Sequence, residues 1–410
     1  MVARVGANLP AVGGFNQAVI LDAIRRTPEG ISRVELAEHT GLSAQTVTNV
    51  SRRLLGIGVI REGGTVVAGV GKPRTLLQLK PEGRFALGVH LDPSVVSIVL
   101  LDLAGEPLGH RVLDVEPDYS AQQTLDDIAA ETRAILTNEG DGLRERMLGV
   151  GVAAPGPLVD STGTVINPPL LPQWERIALR ELLAEAIDLP VLVEKDVTAA
   201  AVAEQWMAPG NRENFAFMYY GTGIGFGIVL QNEVIRAASG NAGDVGGMTV
   251  PSTDASGTRR PFGDAVSPTS VVPRALAQGV RLETPAQRTG GFHLLDEFTA
   301  LCASADAGEP QASAIVDQLI ADLACGLVPV SNLLDVDRFV FGGPFWAPIS
   351  DRALAQMPGL FEGSGSLVNA HPIAFEESAV GPDVAAIGAA CLVLDNTFSP
   401  RPAKLLLDQP

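Results

Sequence analysis

The sequence predicts an α/β protein, with an N-terminal winged helix-turn-helix joined to a two-lobed body that holds a ligand cleft between its lobes. Three observations carry this. Residues 31–58 read as two short helices about a tight turn, a strand meander followed by alternating strands and helices occurs twice beyond residue 85, and charge divides unevenly between the two parts.

Ser32, three residues before Glu35, is a capping-box signature in which each side chain satisfies a backbone donor that a helix start leaves unpaired. Val34, Leu36 and Ala37 give that helix an apolar face, and Gly41 breaks it by admitting a backbone conformation that other residues resist. Ser43 caps a second helix whose inward residues Val47, Val50, Leu54 and Leu55 recur at helical spacing. The outward set is Gln45, Thr46, Thr48, Asn49, Arg52 and Arg53, short polar groups and guanidiniums suited to base edges and phosphates in a major groove. With Ser43, these are the candidate DNA-reading residues. Upstream, Phe15, Val19, Ile20, Ala23 and Ile24 form a third helical stripe able to close a three-helix core. Downstream, residues 58–61, the pair Gly63-Gly64 and residues 65–68 read as strand, turn and strand, which makes the unit winged. The plainer alternative is a helical hairpin with a solvated outer face.

A chain of 410 residues leaves room for two or three units. Hydrophobic residues make up 46% and mean hydropathy is +0.22, yet no uninterrupted apolar run approaches the roughly 20 residues of a membrane helix, and the first residues lack the apolar centre of a secretory signal. A cytoplasmic protein without a membrane partner is expected. Cys302, Cys325 and Cys391 are far apart and odd in number, which argues for free thiols over disulfides, and none has a Cys or His neighbour at zinc-ligand spacing. The net charge of −18 hides an asymmetry. Residues 1–80 carry ten Lys or Arg against five Asp or Glu, a net +5, which leaves −23 on the remainder. A basic head on an acidic body fits a DNA-binding module attached to a domain that DNA does not touch, since phosphate attraction is screened over roughly 10 Å.

Lys72 and Arg74 end the wing and are assigned to the DNA backbone or the adjacent minor groove, with linker charges as the alternative. Strand-like runs follow at 85–91, 95–103 and 108–115, then a helix at 120–138, a strand at 148–153, a helix near 179–186, a strand at 191–194 and a helix at 197–206. The pattern restarts with strands at 215–220, 225–230 and 233–237, a long apolar-striped helix at 313–334, a short strand at 338–341 and a closing helix at 383–394. Duplication of this kind suggests two lobes with a cleft between them. The expected division is a head at 1–80 and a body at 81–410, with lobe 1 at 81–206 plus the closing helix 383–395, and lobe 2 at 207–382.

The chain resembles the ROK family of sugar-responsive repressors and sugar kinases. The resemblance rests on the winged head followed by GKPRTLLQLKPEGRFALGV, then GVAAPGPLVDSTGTVINPPLLPQW, VLVEKDVTAAAVAE and YYGTGIGFGIVLQNEVIRAASGNAGDVGGMTV, in this order. It implies the actin and hexokinase-like fold, a sugar site in the cleft formed by Asn167, Lys195, Asp196, Gly221, Thr222, Gly243, Asp244 and Thr269, and a homodimer or tetramer on palindromic operator DNA.

Departures from the kinase pattern are informative. His90 stands where the kinases carry an Asp, and Pro93 and Ser94 replace the glycine pair that lets backbone approach nucleotide phosphates. The glycine loop 221–225 is intact. Lys195-Asp196 replaces the kinases' Asn-Asp pair, so Asp196 keeps the capacity to accept hydrogen bonds or act as a base, or simply caps the following helix. Gly243-Asp244 shortens the usual Gly-Glu, the His after it is missing, and residues 259–269 lack the three zinc-binding cysteines, with Thr269 where a Glu usually follows them. Leu170 stands where a second Asn is usual, though Asn167 and Trp174 persist. Neither zinc nor ATP is therefore expected as a cofactor. The resulting expectation is a DNA-binding regulator, a repressor, with a degenerate kinase-like body that senses a sugar or sugar derivative; the alternative is an active ROK sugar kinase with a DNA-binding head. Lys195 beside Asp244 suits an acidic effector such as a phosphorylated sugar or sugar acid, or else pairs internally with Glu194 or Asp196.

Overall fold

The computed structural model describes residues 9–66, 73–93, 95–115, 119–138, 142–159, 162–166, 168, 171–208, 212–251, 259–283, 291–368 and 370–398. The head contains α1 (Leu9–Arg25), the two-residue strand β1 (Ile31–Ser32), α2 (Arg33–Thr40), α3 (Ala44–Gly56), β2 (Ile60–Val66) and β3 (Arg74–Leu79). Its local signals operate as read from the sequence. Ser32 Oγ accepts the Glu35 N–H at 3.4 Å while Glu35 Oε2 accepts the Ser32 N–H at 2.8 Å, and Gly41 ends α2 at φ 67°. Ser43 Oγ accepts the Thr46 N–H at 3.2 Å and starts α3. Ile20, Leu21, Ile24, Leu36, Val47 and Leu54 close the core between the three helices, and Leu77 of β3 joins it.

The wing differs from the sequence reading. Residues 60–66 are one strand, kinked by a register shift between Glu62 and Thr65, and its antiparallel partner is β3, with Arg61 opposite Gln78 and Val66 opposite Arg74. Gly63-Gly64 is therefore a bulge and not the hairpin turn. The Gln78 side chain lies over Gly63 in the space a Cβ would need, so glycine here serves cross-strand packing, a use that looks the same as a turn in sequence. Residues 67–68 lie outside the described residues.

The body is built on two five-stranded sheets. The first contains β4 (Phe85–Leu91), β5 (Val95–Asp102), β6 (Pro107–Asp114), β7 (Met147–Ala154) and β10 (Val191–Lys195), in the order β10-β7-β4-β5-β6, with the meander antiparallel and the outer strands parallel. Helices α4 (Ala121–Asn138), α5 (Leu143–Arg146) and α6 (Leu179–Ile187), and the short pair β8 (Leu158–Val159) and β9 (Thr164–Val165), belong to this lobe. A helix α7 (Asp196–Met207) then leads to the second sheet, β11 (Phe215–Tyr220), β12 (Ile224–Leu230), β13 (Glu233–Val234), β16 (Arg338–Gly342) and β17 (Ala374–Glu377), ordered β13-β12-β11-β16-β17. Between these strands the chain forms β14 (Thr249–Pro251), β15 (Arg259–Pro261), α8 (Phe262–Val266), α9 (Pro268–Ala277), α10 (Gly291–Asp306), α11 (Pro310–Leu334) and α12 (Ser350–Glu362), and it closes with α13 (Val384–Phe398). Helix α11 is long and apolar enough to cross a membrane, but its residues Leu319, Leu323 and Leu327 are fully buried in the second lobe and Asp322 pairs with Arg260 at 2.7 Å.

Helices α7 and α13 pack against each other between the sheets, α13 over β4, β5 and β7, and α7 beneath β11 and β12. The approach is close enough that a methyl group on Gly151 would overlap the Ala389 carbonyl and one on Gly388 would overlap the Ala199 carbonyl. Small residues along both helices, from Ala199 to Ala201 and Ala385 to Ala390, let backbone meet backbone. Helix α7 begins one residue earlier than expected: Lys195 occupies the cap position without a side-chain capping bond, and Asp196 is the first helical residue, its Oδ1 accepting the Val197 N–H at 2.7 Å.

Candidate DNA-binding face and effector cleft

The outer face of α3 is a chain of polar contacts. Gln45 Nε2 donates to Asn49 Oδ1 at 3.2 Å, and Arg52 Nη1 reaches the same oxygen at 3.4 Å, so residues at helical spacing form one exposed ridge. Arg53 is exposed beside them. The hydroxyls are more committed. Thr48 donates to the Ala44 carbonyl at 2.8 Å, while the Ser43 and Thr46 hydroxyls meet at 2.9 Å in the cap. Ser43 and Thr46 therefore hold the helix start as well as facing outward. Arg74 is exposed at the start of β3, and Lys72 lies outside the described residues. Arg33 also joins this side through a 3.0 Å ion pair to Glu62 of the wing, a contact the sequence reading missed.

A cleft of about 110 Å³ opens where the hairpins of the two sheets face each other, with Asp92, Pro93, Gly156, Lys195, Asp196, Tyr219, Gly221, Thr222 and Asp244 among its lining residues. Of the residues expected there, Lys195, Asp196, Gly221, Thr222 and Asp244 are brought together. Asn167 lies outside the described residues. Gly243 is adjacent but structural: at φ 82° its carbonyl accepts the Phe226 N–H at 2.8 Å, and a Cβ would strike the Phe226 carbonyl. Thr269 sits apart on α9, its hydroxyl 3.0 Å from that of Ser267. Tyr219, Asp92 and Gly156 were not foreseen as cleft residues, because nothing in their local sequence distinguishes them from strand and turn residues.

The cleft wall sets titratable groups among more extensive apolar surface. His90 packs edge-on to the Tyr219 ring at 5.9 Å, both buried. Asp196 opens partly to the cleft, yet burial raises its pKa above the usual carboxylate range against the opposing pull of His90 and the Val197 N–H. Burial also drives the Tyr219 hydroxyl well above its ordinary value, reinforced by Asp92 and Asp196. Lys195 is 5% exposed, and its methylenes run over Gly156, where a Cβ would come within 2.9 Å of Cε. The expected internal pairing with Glu194 is not seen: that carboxylate binds the Arg236 guanidinium and accepts the Lys195 backbone N–H at 3.1 Å. At the mouth, Asn241 from the second lobe accepts the Leu158 N–H at 2.7 Å and donates to the Leu158 carbonyl at 2.8 Å, joining the lobes through one side chain.

Among the described residues no group of three or more His, Cys, Asp or Glu is placed to hold a metal, and residues 259–269 form β15, α8 and the start of α9, with Phe262, Ala265 and Val266 packed in the core. On the first hairpin, the Asp92 N–H is spent on the Val95 carbonyl and Pro93 has none to offer a phosphate.

Cleft and head meet through α7. That helix starts in the cleft at Asp196 and runs 12 residues, about 18 Å. At its far end the Trp206 carbonyl accepts Arg25 Nη1 at 2.9 Å, and the Arg25 guanidinium lies 4.1 Å from the Trp206 ring centre. Asp22 holds the same guanidinium at 2.8 Å. Burial depresses the Arg25 pKa, and Arg25 Nε and Trp206 Nε1 are buried without a hydrogen-bond partner among the described residues.

A winged head fixed to a two-lobed, cleft-bearing α/β body defines a class of proteins in which one part contacts nucleic acid and the other a small molecule. Residues 87–396 match the ROK family and residues 19–61 match the winged helix-turn-helix DNA-binding family. The chain belongs to the ROK family. It is 24% identical over 326 residues to the xylose repressor of Caldicellulosiruptor bescii, covering 76% of this chain and 79% of the relative. A glucokinase of Halalkalibacterium halodurans is 26% identical over 76% of this chain and 95% of its own length. The crystal structure of a ROK family transcriptional regulator, a homolog of the E. coli MLC protein, matches with a TM-score of 0.72 at 21% identity and covers 97% of this chain and 98% of that one.

Proposed function

We propose that this chain is a transcriptional repressor whose head binds operator DNA and whose cleft takes a sugar-derived effector that alters operator affinity. The observation that carries the reading is the fastening of the head to the cleft helix: Arg25 of α1 is held by Trp206 at one end of the helix that begins with Asp196 at the other. A kinase has no use for such a linkage. The glucokinase relative is matched almost end to end by 76% of this chain, whereas the regulator structure matches 97%, and the repressor relative's name supports a sugar as effector. The chain acts in the cytoplasm as a homodimer or tetramer, without zinc or ATP.

The mechanism is a shift between lobe arrangements. A ligand that binds one arrangement more tightly moves α7 and with it the seat of α1, which changes how two heads of a dimer are spaced. Moving from mostly bound to mostly released requires a differential affinity of about 5 kcal/mol, within reach of a cleft offering several charge-assisted hydrogen bonds. The test is to isolate genomic fragments bound by the purified chain, then measure their affinity with a panel of sugars, with ATP turnover assayed in parallel. Specific fragments whose affinity changes with one sugar class are expected; sugar-dependent ATP turnover abolished by Asp196→Asn would overturn the reading in favour of the kinase.

A further inference from the structure

We propose that the effector carries an acid group, a carboxylate or a phosphate on a sugar frame, and that Lys195 receives it. This rests on the reading of the cleft as an effector site. Lys195 lines the cleft while almost its whole side chain is buried, and among the described residues no carboxylate forms an ion pair with its ammonium. A cation withdrawn from water with no contact ion pair is costly, and a ligand acid group placed against it offsets that cost. Two arrangements leave it without a contact ion pair, although the Asp196 carboxylate acts on it through space. Glu194, the adjacent residue, is taken by Arg236, and Asp196 turns its Oδ1 to the Val197 N–H. Gly156 leaves the space through which the methylenes reach the cleft.

The carboxylates on the wall do not cancel this site. Asp92 has a partner within the protein, burial raises the Asp196 pKa against the pull of His90 and Lys195, and Asp244 lies exposed. These groups suit hydroxyls, which they bind as acceptors, while the start of α7 beside Lys195 adds a favourable field for an anion. The division predicts a ligand with one acid group and several hydroxyls.

The experiment uses the full chain and a panel in which glucose, galactose, mannose and xylose are each matched with their aldonic or uronic acid and their phosphate ester, read by calorimetry and thermal shift. At least one acid or phosphate should bind roughly ten- to a hundredfold more tightly than its neutral parent, and Lys195→Met should remove that difference. Lys195→Gln, which keeps a donor and loses the charge, serves if methionine disturbs the packing on Gly156. The carboxylate and phosphate arms separate the two sources of negative charge. Preference for neutral sugars, or an acid preference that survives both variants, overturns the role of Lys195 and leaves the effector reading standing. Silence of the entire panel, with DNA affinity unmoved, overturns both.

Discussion

The head and the cleft of this protein solve opposite recognition problems. The head presents Gln45, Asn49, Arg52 and Arg53 on the surface of one short helix, and its scaffold is closed by residues within a single continuous segment. The cleft holds Lys195, Asp92 and Tyr219 almost out of water, on separate segments between residues 92 and 219. DNA is a dense, uniform polyanion, so exposed cations and a rigid register suffice for attraction. A ligand with one acid group and several hydroxyls, as proposed for the cleft, offers far less charge than DNA, and desolvated groups are needed to give each hydrogen bond weight. The difference teaches that charge at the surface sets where the protein goes, while charge removed from water sets what it senses.

The comparison can be broken most forcefully where α13 packs on the first sheet. Gly151→Val places two methyl groups into the Ala389 backbone and should destabilise the body by about 3 kcal/mol or more, seen as a large loss of melting temperature in calorimetry; an unchanged melt would show that α13 is not seated as described. Next in size is the head. Arg52→Ala should weaken operator binding about tenfold to a hundredfold and lower the salt slope by about one, while leaving effector binding untouched. A smaller effect is expected at the joint: Arg25→Met should preserve both binding reactions yet reduce the effector's influence on DNA affinity by about fivefold or more, measured by anisotropy with and without effector.

The smallest effect concerns pH. Burial raises the Asp196 pKa, so the folded state binds a proton more tightly than the unfolded one; the protonated group is tolerated, and stability is lost as pH rises from the ordinary carboxylate range through the raised value. Asp196→Asn removes that loss. Thermal melts should show the variant gaining on the native chain as pH rises above the ordinary carboxylate range, and a difference that does not change with pH would place the carboxylate in a solvated setting. Effector binding by the same variant should weaken.

The head was legible because its rules are local. Ser32 with Glu35, Gly41, and Ser43 each act within four residues, and every one appears in the structure as read. The wing misled at Gly63-Gly64 because a bulge and a turn demand the same residue. In the body, strands such as Phe85–Leu91 and Phe215–Tyr220 followed from their continuous apolar character, whereas α8, α9, α10 and α12 were not resolved as separate helices. For the cleft, Lys195, Asp196, Gly221, Thr222 and Asp244 came from the family pattern, and Gly243 and Thr269 came with them although packing gives them other tasks. The contacts that organise function are beyond any local rule. Arg25 meets Trp206 across 181 residues, and Asn241 meets Leu158 across 83.

The measurement that reaches the central claim is the linkage between the two sites. Operator affinity is determined with and without the sugar that raises the melting temperature, and that sugar's affinity is determined with and without operator. The account predicts one coupling factor, equal in both directions and reduced by Arg25→Met. A sugar that binds tightly in the cleft and leaves operator affinity unchanged would contradict it.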